Sequence, residues 1–372
     1  MSKYRASNLT RRSMLKFGAV AATSIPVYGS MRRRALAAEP TQVKFTLPWI
    51  PNGSSYWPLI GNELGIFAKH NINMNVARGF GSVAAAQAVA AGQFDFGMVF
   101  AGGNFLAAAR KLPLVVIATV YYDAIMGIAL RADSPIKTPK DLEGKKLGTV
   151  PNSAESPYWP AFAKSAGIDI SKVSLVQVDS KVIERALLDK QVDATTAIGT
   201  SSIPLIAAMG DTPRFMPWSR YGVELYAGQI VTRAETVEKN PELCQKVVDA
   251  VLECYAHTLR EPETSLDLFA KVLPEVGLTK AGMQSARISQ GLTQLVTHRP
   301  EAVDHALGWS DLSKIPAMID LVMEFGAPKD AVRPDPKTLI TNQFVGRVKL
   351  SPQEWAKVKQ NTATYAAYLG DG

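Results

Sequence analysis

From Val43 onward, short runs rich in β-branched and aromatic residues alternate with longer stretches whose apolar side chains fall on one helical stripe. That alternation is the signature of α/β layers built on a mostly parallel sheet. It predicts strands over residues 43–48, 72–77, 94–99, 114–120 and 127–131, with helices over 56–70, 82–91 and 104–111 between them. Ser82 stands where an N-cap is expected. A loop containing Ser134, Pro135, Thr138 and Pro139 then interrupts the pattern. A second series follows, with strands over 146–150, 173–178 and 194–198 and helices over 156–165 and 182–189.

The run 225–232 reads as a strand returning to the first series. Behind it, Asn240 and Pro241 open a helix with a capping residue and a proline at the first helical position. Its apolar residues Leu243, Val247, Val248, Val251, Leu252 and Tyr255 share one stripe, so this helix packs rather than binds. Further helices fill the chain to Gly326, and residues 352–369 close it. The expected organisation is two α/β lobes, each a mixed, mostly parallel sheet flanked by helices: lobe I from 38–131 and 225–372, lobe II from 132–224. Lobes joined by two crossings can hinge around a ligand, and in open α/β sheets the site lies beyond the carboxyl ends of the strands.

Composition changes the picture chiefly at the N-terminus. Thr10-Arg11-Arg12-Ser13-Met14-Leu15-Lys16 resembles the twin-arginine export motif, with Met14 where that motif usually carries Phe. An apolar stretch from Phe17 to Val27 follows, and Ala35-Leu36-Ala37 supplies a small-residue cleavage site. Residues 1–37 are therefore expected to be a twin-arginine signal peptide that directs the chain to the periplasm. The apolar stretch is shorter than the roughly 20 residues needed to span a bilayer. The formal charge of +8 is also a property of this segment. Lys3, Arg5, Arg11, Arg12, Lys16, Arg32, Arg33 and Arg34 lie in it with no acid among them, so the remaining chain carries basic and acidic residues in equal number. A nucleic-acid role thereby loses its main support.

Cys244 and Cys254 fall in one predicted helix, roughly 15 Å apart at the helical rise. A disulfide needs Cα atoms within about 7 Å, so both are expected as buried thiols. The four histidines, His70, His257, His298 and His305, show no metal-ligand spacing, and no metal or cofactor is expected. Ser134 to Lys137 matches a bare S-x-x-K, but Pro139 and the flanking loop argue against the helix that chemistry needs. Gly79 to Ala84 satisfies G-x-G-x-x-A, yet the acid required about 20 residues later is missing, which leaves a tight turn into an Ala-rich helix.

The loops after the strands hold a different inventory. Residues 49–57 and 151–159 concentrate Trp, Tyr, Asn and Ser, joined by 101–104, 121–123 and 199–202. Aromatic faces that stack on a flat ligand, with hydroxyls and amides for directional bonds, suit recognition of a small planar or polar molecule. Trp57 and Trp159 lie on predicted helices and are expected in the core. Asn52, Asn152 and Ser153 precede helix starts, where capping is an equal alternative to ligand contact.

At these residues the sequence resembles the NMT1/THI5-like family of importer-linked binding proteins for nitrate, sulfonates, taurine and thiamine pyrimidine precursors. The resemblance rests on Trp49-x-Pro51-Asn52, Gly65-Ile66-Phe67, Gly92-Gln93-Phe94-Asp95-Phe96-Gly97, Lys137 to Lys145 followed by Leu147-Gly148, and Val192-Asp193-Ala194. It implies a two-lobed periplasmic-binding-protein fold of type II with two crossings, no catalytic residues, and a monomer that delivers a small-molecule solute to an ABC transporter permease at the inner membrane. Carried over by position, Trp49, Asn52, Tyr56, Gly102, Tyr122, Asn152, Ser153 and Glu155 fall where such proteins place ligand contacts. Ser55, Ala101, Thr200 and Glu224 join them as candidates from the same loops. The family also contains pyrimidine synthases that use a cysteine cluster and an active-site His, and neither is visible here. None of the candidate loops carries Lys or Arg, so a pyrimidine-like or aromatic solute is expected ahead of an aliphatic sulfonate, taurine or nitrate.

Overall fold

The computed structural model of the protein describes residues 39–100, 102–151 and 153–370. The expected signal peptide and the candidates Ala101 and Asn152 lie outside the described residues. Among the described residues ten strands form two five-stranded sheets: β1 Thr41–Thr46, β2 Ile72–Ala77, β3 Phe96–Val99, β4 Leu114–Tyr121, β5 Met126–Leu130, β6 Lys146–Thr149, β7 Ser174–Gln177, β8 Ala194–Ile198, β9 Arg214–Pro217 and β10 Ala227–Arg233. The first sheet has the order β2-β1-β3-β10-β4 and the second β7-β6-β8-β5-β9. In the first, β1 pairs in parallel with β2 and β3, while β10 runs antiparallel between β3 and β4. The second repeats this arrangement, with β6 parallel to β7 and β8 and β5 antiparallel to β8 and β9.

The repetition corrects one expectation. Residues 127–131 were assigned to lobe I, but β5 belongs to the second sheet, so the chain first crosses between Tyr121 and Met126. Each lobe thus receives one antiparallel strand from the neighbouring segment of chain, β5 going out and β10 coming back. The crossings lie side by side, with Ala124 N–H donating to the Leu225 carbonyl at 2.9 Å. All five residues of β5 are buried, so both faces of this central strand are covered. β9, bounded by Pro213 and Pro217, is an edge strand that the pattern missed.

The helix expected over 56–70 is instead a series of turns, with a 3-10 turn at Leu59–Gly61 and a short helix at Ile66–Lys69. Two glycines explain the break. Gly65 adopts φ 68°, which a side chain disfavours. A Cβ on Gly61 would come within 2.4 Å of the buried Phe67 ring. Ser82 does not cap its own helix; its hydroxyl accepts from Phe100 N–H at 2.9 Å and ties that helix to the end of β3.

Trp57 and Trp159 are in the core, and the Trp57 indole N–H donates to the Tyr121 hydroxyl at 2.7 Å. The helix Lys280–Thr297 touches both lobes. At one end Thr297 donates to the Val120 carbonyl of β4 (3.1 Å), and in its middle Ser289 donates to the Thr200 carbonyl at the start of the second-lobe helix Gly199–Ala208 (2.8 Å). Cys244 and Cys254 are free and buried on the helix Pro241–Arg260, and burial pushes the Cys244 thiol up to about 11. A thiol reductant is expected to leave the unfolding midpoint unchanged; a drop on reduction would show a disulfide that this packing forbids.

Candidate functional site

The loop after β6 positions a buried carboxylate. Glu155 is 3% exposed, and its Oε1 accepts from the Ser153 hydroxyl (2.7 Å) and the Thr196 hydroxyl (3.2 Å). The Thr196 hydroxyl can in turn accept from the Thr149 hydroxyl, 3.2 Å away, because the parallel neighbours β6 and β8 bring these two threonines side by side. Among the described residues no Lys or Arg is paired with Glu155. Burial pushes its carboxyl above the ordinary range, and the two hydroxyl bonds only partly oppose this. Glu184, on the helix Ile183–Leu188, is likewise raised by burial; it accepts from the Ser202 hydroxyl at 2.8 Å and its charge adds to the shift at Glu155. The result is an acceptor with no cationic partner, in surroundings where a hydrogen bond to it is strong.

The loop after β1 is held by an Asx turn. Asn52 Oδ1 accepts from Ser54 N–H (2.9 Å) and the Ser54 hydroxyl (2.6 Å), while its carbonyl accepts from Ser55 and Tyr56 N–H. Ser55 is buried. The Tyr56 ring stacks on Phe269 at 4.5 Å and its hydroxyl donates to Gln290, so its bonding capacity is met inside the first lobe. Trp49 is different: its side chain is 47% exposed and lies near Gly81, beside exposed Ile50 and Phe80.

Gly102 follows β3 with φ 76°, and the second lobe meets the first there. A Cβ on Gly102 would stand 3.1 Å from the Tyr158 hydroxyl, 3.0 Å from Val322 and 3.3 Å from Leu225. Tyr158 lies three residues beyond Glu155, so the segment that follows the carboxylate loop touches the first lobe. Thr200 is buried, with its carbonyl occupied by Ser289. Tyr122 and Glu224, on the two crossings, line a cavity of about 170 Å³ with Asp123, Arg299, Glu301 and Lys314. Glu301 there accepts from the Tyr226 hydroxyl (2.8 Å) and from Lys314 (2.6 Å).

The described candidates therefore fall into three groups, Ser153 with Glu155, Trp49 to Tyr56, and Tyr122 with Glu224, with Gly102 and Thr200 standing apart at contacts between the lobes. A larger, open cavity of about 540 Å³, lined by Gly277 to Arg287, contains none of them. One residue of the loop 101–104 that was not carried into the candidate set stands out. Asn104, on the helix Gly103–Ala109, is fully buried with neither side-chain atom hydrogen-bonded among the described residues. Its sequence signals are its place in the loop after β3 and an amide heading the apolar run Phe105-Leu106-Ala107-Ala108-Ala109. Among the described residues no group of three or more His, Cys, Asp or Glu could hold a metal, and no helix is long and apolar enough to cross a membrane.

The profile of the family described as NMT1/THI5 like matches residues 56–265, more than half of the chain. The chain belongs to that family. A Brucella abortus protein named only as a binding protein is 25% identical over 293 residues, covering 76% of this chain and 86% of the relative. The formylaminopyrimidine-binding protein of Halalkalibacterium halodurans is 22% identical over 230 residues, 61% of this chain and 69% of that protein. In structure, the chain is similar to the periplasmic aliphatic sulphonate binding protein SsuA of Escherichia coli, with a TM-score of 0.56 at 18% identity, covering 69% of this chain and 86% of that one. The fold is thus the two-lobed α/β fold of periplasmic binding proteins, as the family resemblance implied.

Proposed function

We propose that this protein is the periplasmic solute-binding component of an ABC importer, and that it holds a flat, amine-bearing solute of pyrimidine-like or aromatic type between its lobes. The carrying observation is Glu155, a buried carboxylate that accepts from two hydroxyls and has no cationic partner among the described residues. Such a group is costly unless a donor completes it, and an exocyclic amine does so. A sulfonate or nitrate would instead bring acceptor oxygens against acceptor oxygens. Likeness to proteins named as binding proteins supports binding rather than catalysis, and the aminopyrimidine named in one relative agrees with the donor chemistry. The half-exposed Trp49 indole supplies a face on which a ring can stack.

The test is thermal unfolding with a solute series. An aminopyrimidine at one hundred times its dissociation constant should stabilise the protein by about 2.7 kcal/mol, with taurine and nitrate silent. Stabilisation by taurine or nitrate alone would overturn the solute assignment. In the same titration Trp49→Ala should weaken binding by about 1 to 3 kcal/mol without lowering solute-free stability; unchanged affinity would remove Trp49 from the site.

A further inference from the structure

The cavity at the crossings stands apart from the carboxylate loop. Its walls include Tyr122 and Asp123 on the outgoing crossing, Glu224 on the returning one, and Arg299, Glu301 and Lys314 on the chain that follows the helix Lys280–Thr297. β4 is the last strand of the first sheet, and that following chain runs along its outer edge, where Thr119 N–H donates to the Gly308 carbonyl at 2.8 Å. The cavity therefore lies at the hinge edge of the sheets. Trp49 and Glu155 follow β1 and β6, three strands from β4 and two from β5, or about 14 and 10 Å across the sheets. Neither residue lines the cavity.

The charges around it are only partly matched. Glu301 is buried and accepts from Lys314 at 2.6 Å and from the Tyr226 hydroxyl at 2.8 Å, so that pair closes on itself. Asp123 uses one oxygen to accept from Ile125 N–H at 2.7 Å. Glu224 and Arg299 are exposed, and among the described residues neither forms an ion pair. Two carboxylates on the crossings and one guanidinium beyond the helix are thus left over. Tyr122 adds an unmet polar group: its hydroxyl is buried without a hydrogen-bond partner among the described residues, and burial together with the neighbouring Glu301 keeps it protonated. At about 170 Å³ the cavity has room for about five or six waters of about 30 Å³ each. An occupant is held to a similar number of non-hydrogen atoms, well below what a pocket of roughly 300 to 1,000 Å³ admits.

We propose that this cavity is a second solute site, specific for a small zwitterion with an ammonium group one carbon away from a carboxylate, as in the smallest α-amino acids. Asp123 and Glu224 take the ammonium. Arg299 takes the carboxylate, which a guanidinium can meet with two parallel N–H bonds. A lone cation would stand beside an unpaired Arg299, and a lone anion would meet two carboxylates, so a molecule carrying both signs suits the whole wall. The inference holds whatever solute is bound at Glu155, and it assigns Tyr122 and Glu224 to the hinge. Because the walls come from both crossings, an occupant bridges segments that lobe opening would shift.

The experiment is calorimetric titration of the full chain with glycine, with its two halves methylammonium and acetate, and with leucine, which has the same charges and too great a size. Glycine should bind at least about tenfold more tightly than any of the other three. Glu224→Gln and Arg299→Gln alter exposed side chains and should leave the fold intact while each weakens glycine binding at least about tenfold. Glu155→Gln, outside the cavity, should bind glycine within about twofold of the natural protein. No heat from glycine at about 10 mM would overturn the proposal. So would acetate or leucine binding as tightly as glycine, or glycine binding that survives both hinge variants. Loss of glycine binding in Glu155→Gln would also overturn it, by placing the amino acid in the cleft. The solute held at Glu155 is tested separately by the thermal series above, so either reading can fail without the other.

Discussion

Gly53→Ala is expected to lower stability by about 3 kcal/mol, the upper end of the usual cost of overpacking. A Cβ at this position would stand 1.9 Å from the Ala286 carbonyl oxygen and 2.8 Å from Gln290 N. Both are backbone atoms of the helix Lys280–Thr297, so no side chain can swing aside to make room. The loop must lift off the helix or the helix must move, and that helix is fastened to β4 by Thr297 and to the second lobe by Ser289. Lifting the loop also disturbs the Asn52 turn and the bond from Tyr56 to Gln290. Denaturant unfolding measures the effect directly. A loss under about 1 kcal/mol would show that the close approach is looser than these distances require.

The second large effect is that Glu155→Gln should stabilise the solute-free protein by about 1 kcal/mol near neutral pH while costing about 1.5 to 3 kcal/mol of affinity for an amine-bearing solute. The stability gain depends on pH in a fixed direction. Burial raises the Glu155 carboxyl in the fold, so between the ordinary carboxylate range and the raised value the folded chain holds a proton that the unfolded chain has released. What this group contributes is fully present in acid and is lost as pH rises through the raised value. The variant lacks that loss, so its advantage should be larger at about pH 8 than at about pH 4. Glu184 keeps its own dependence of the same sign in both proteins. Equal melting temperatures at both pH values would mean that Glu155 is well solvated or compensated by a cation.

Strand runs and the return to the first lobe were readable because both are local. The run that became β4 is almost continuously apolar and almost wholly buried, as a strand covered on both faces requires. Membership of a sheet is not local. β5 looks the same in sequence whichever sheet receives it, and its place is decided by pairing with β8 and β9, about 70 and 90 residues further along. Residues 56–70 went wrong for a related reason. Their composition permits a helix, but the Phe67 ring needs the space at Gly61, and that contact exists only once the chain has folded.

The same division runs through the site. Residue type and position after a strand were enough to single out Glu155, Ser153, Gly102 and Trp49, because the chemistry of a side chain travels with it. Whether a partner meets that chemistry was decided by packing across the lobes. Tyr56 has its hydroxyl met by Gln290, 234 residues away, while Asn104 is left with none. Hydrogen-bond satisfaction is a property of neighbours in space. In a fold whose lobes exchange strands and share a helix, most of those neighbours are distant in the chain.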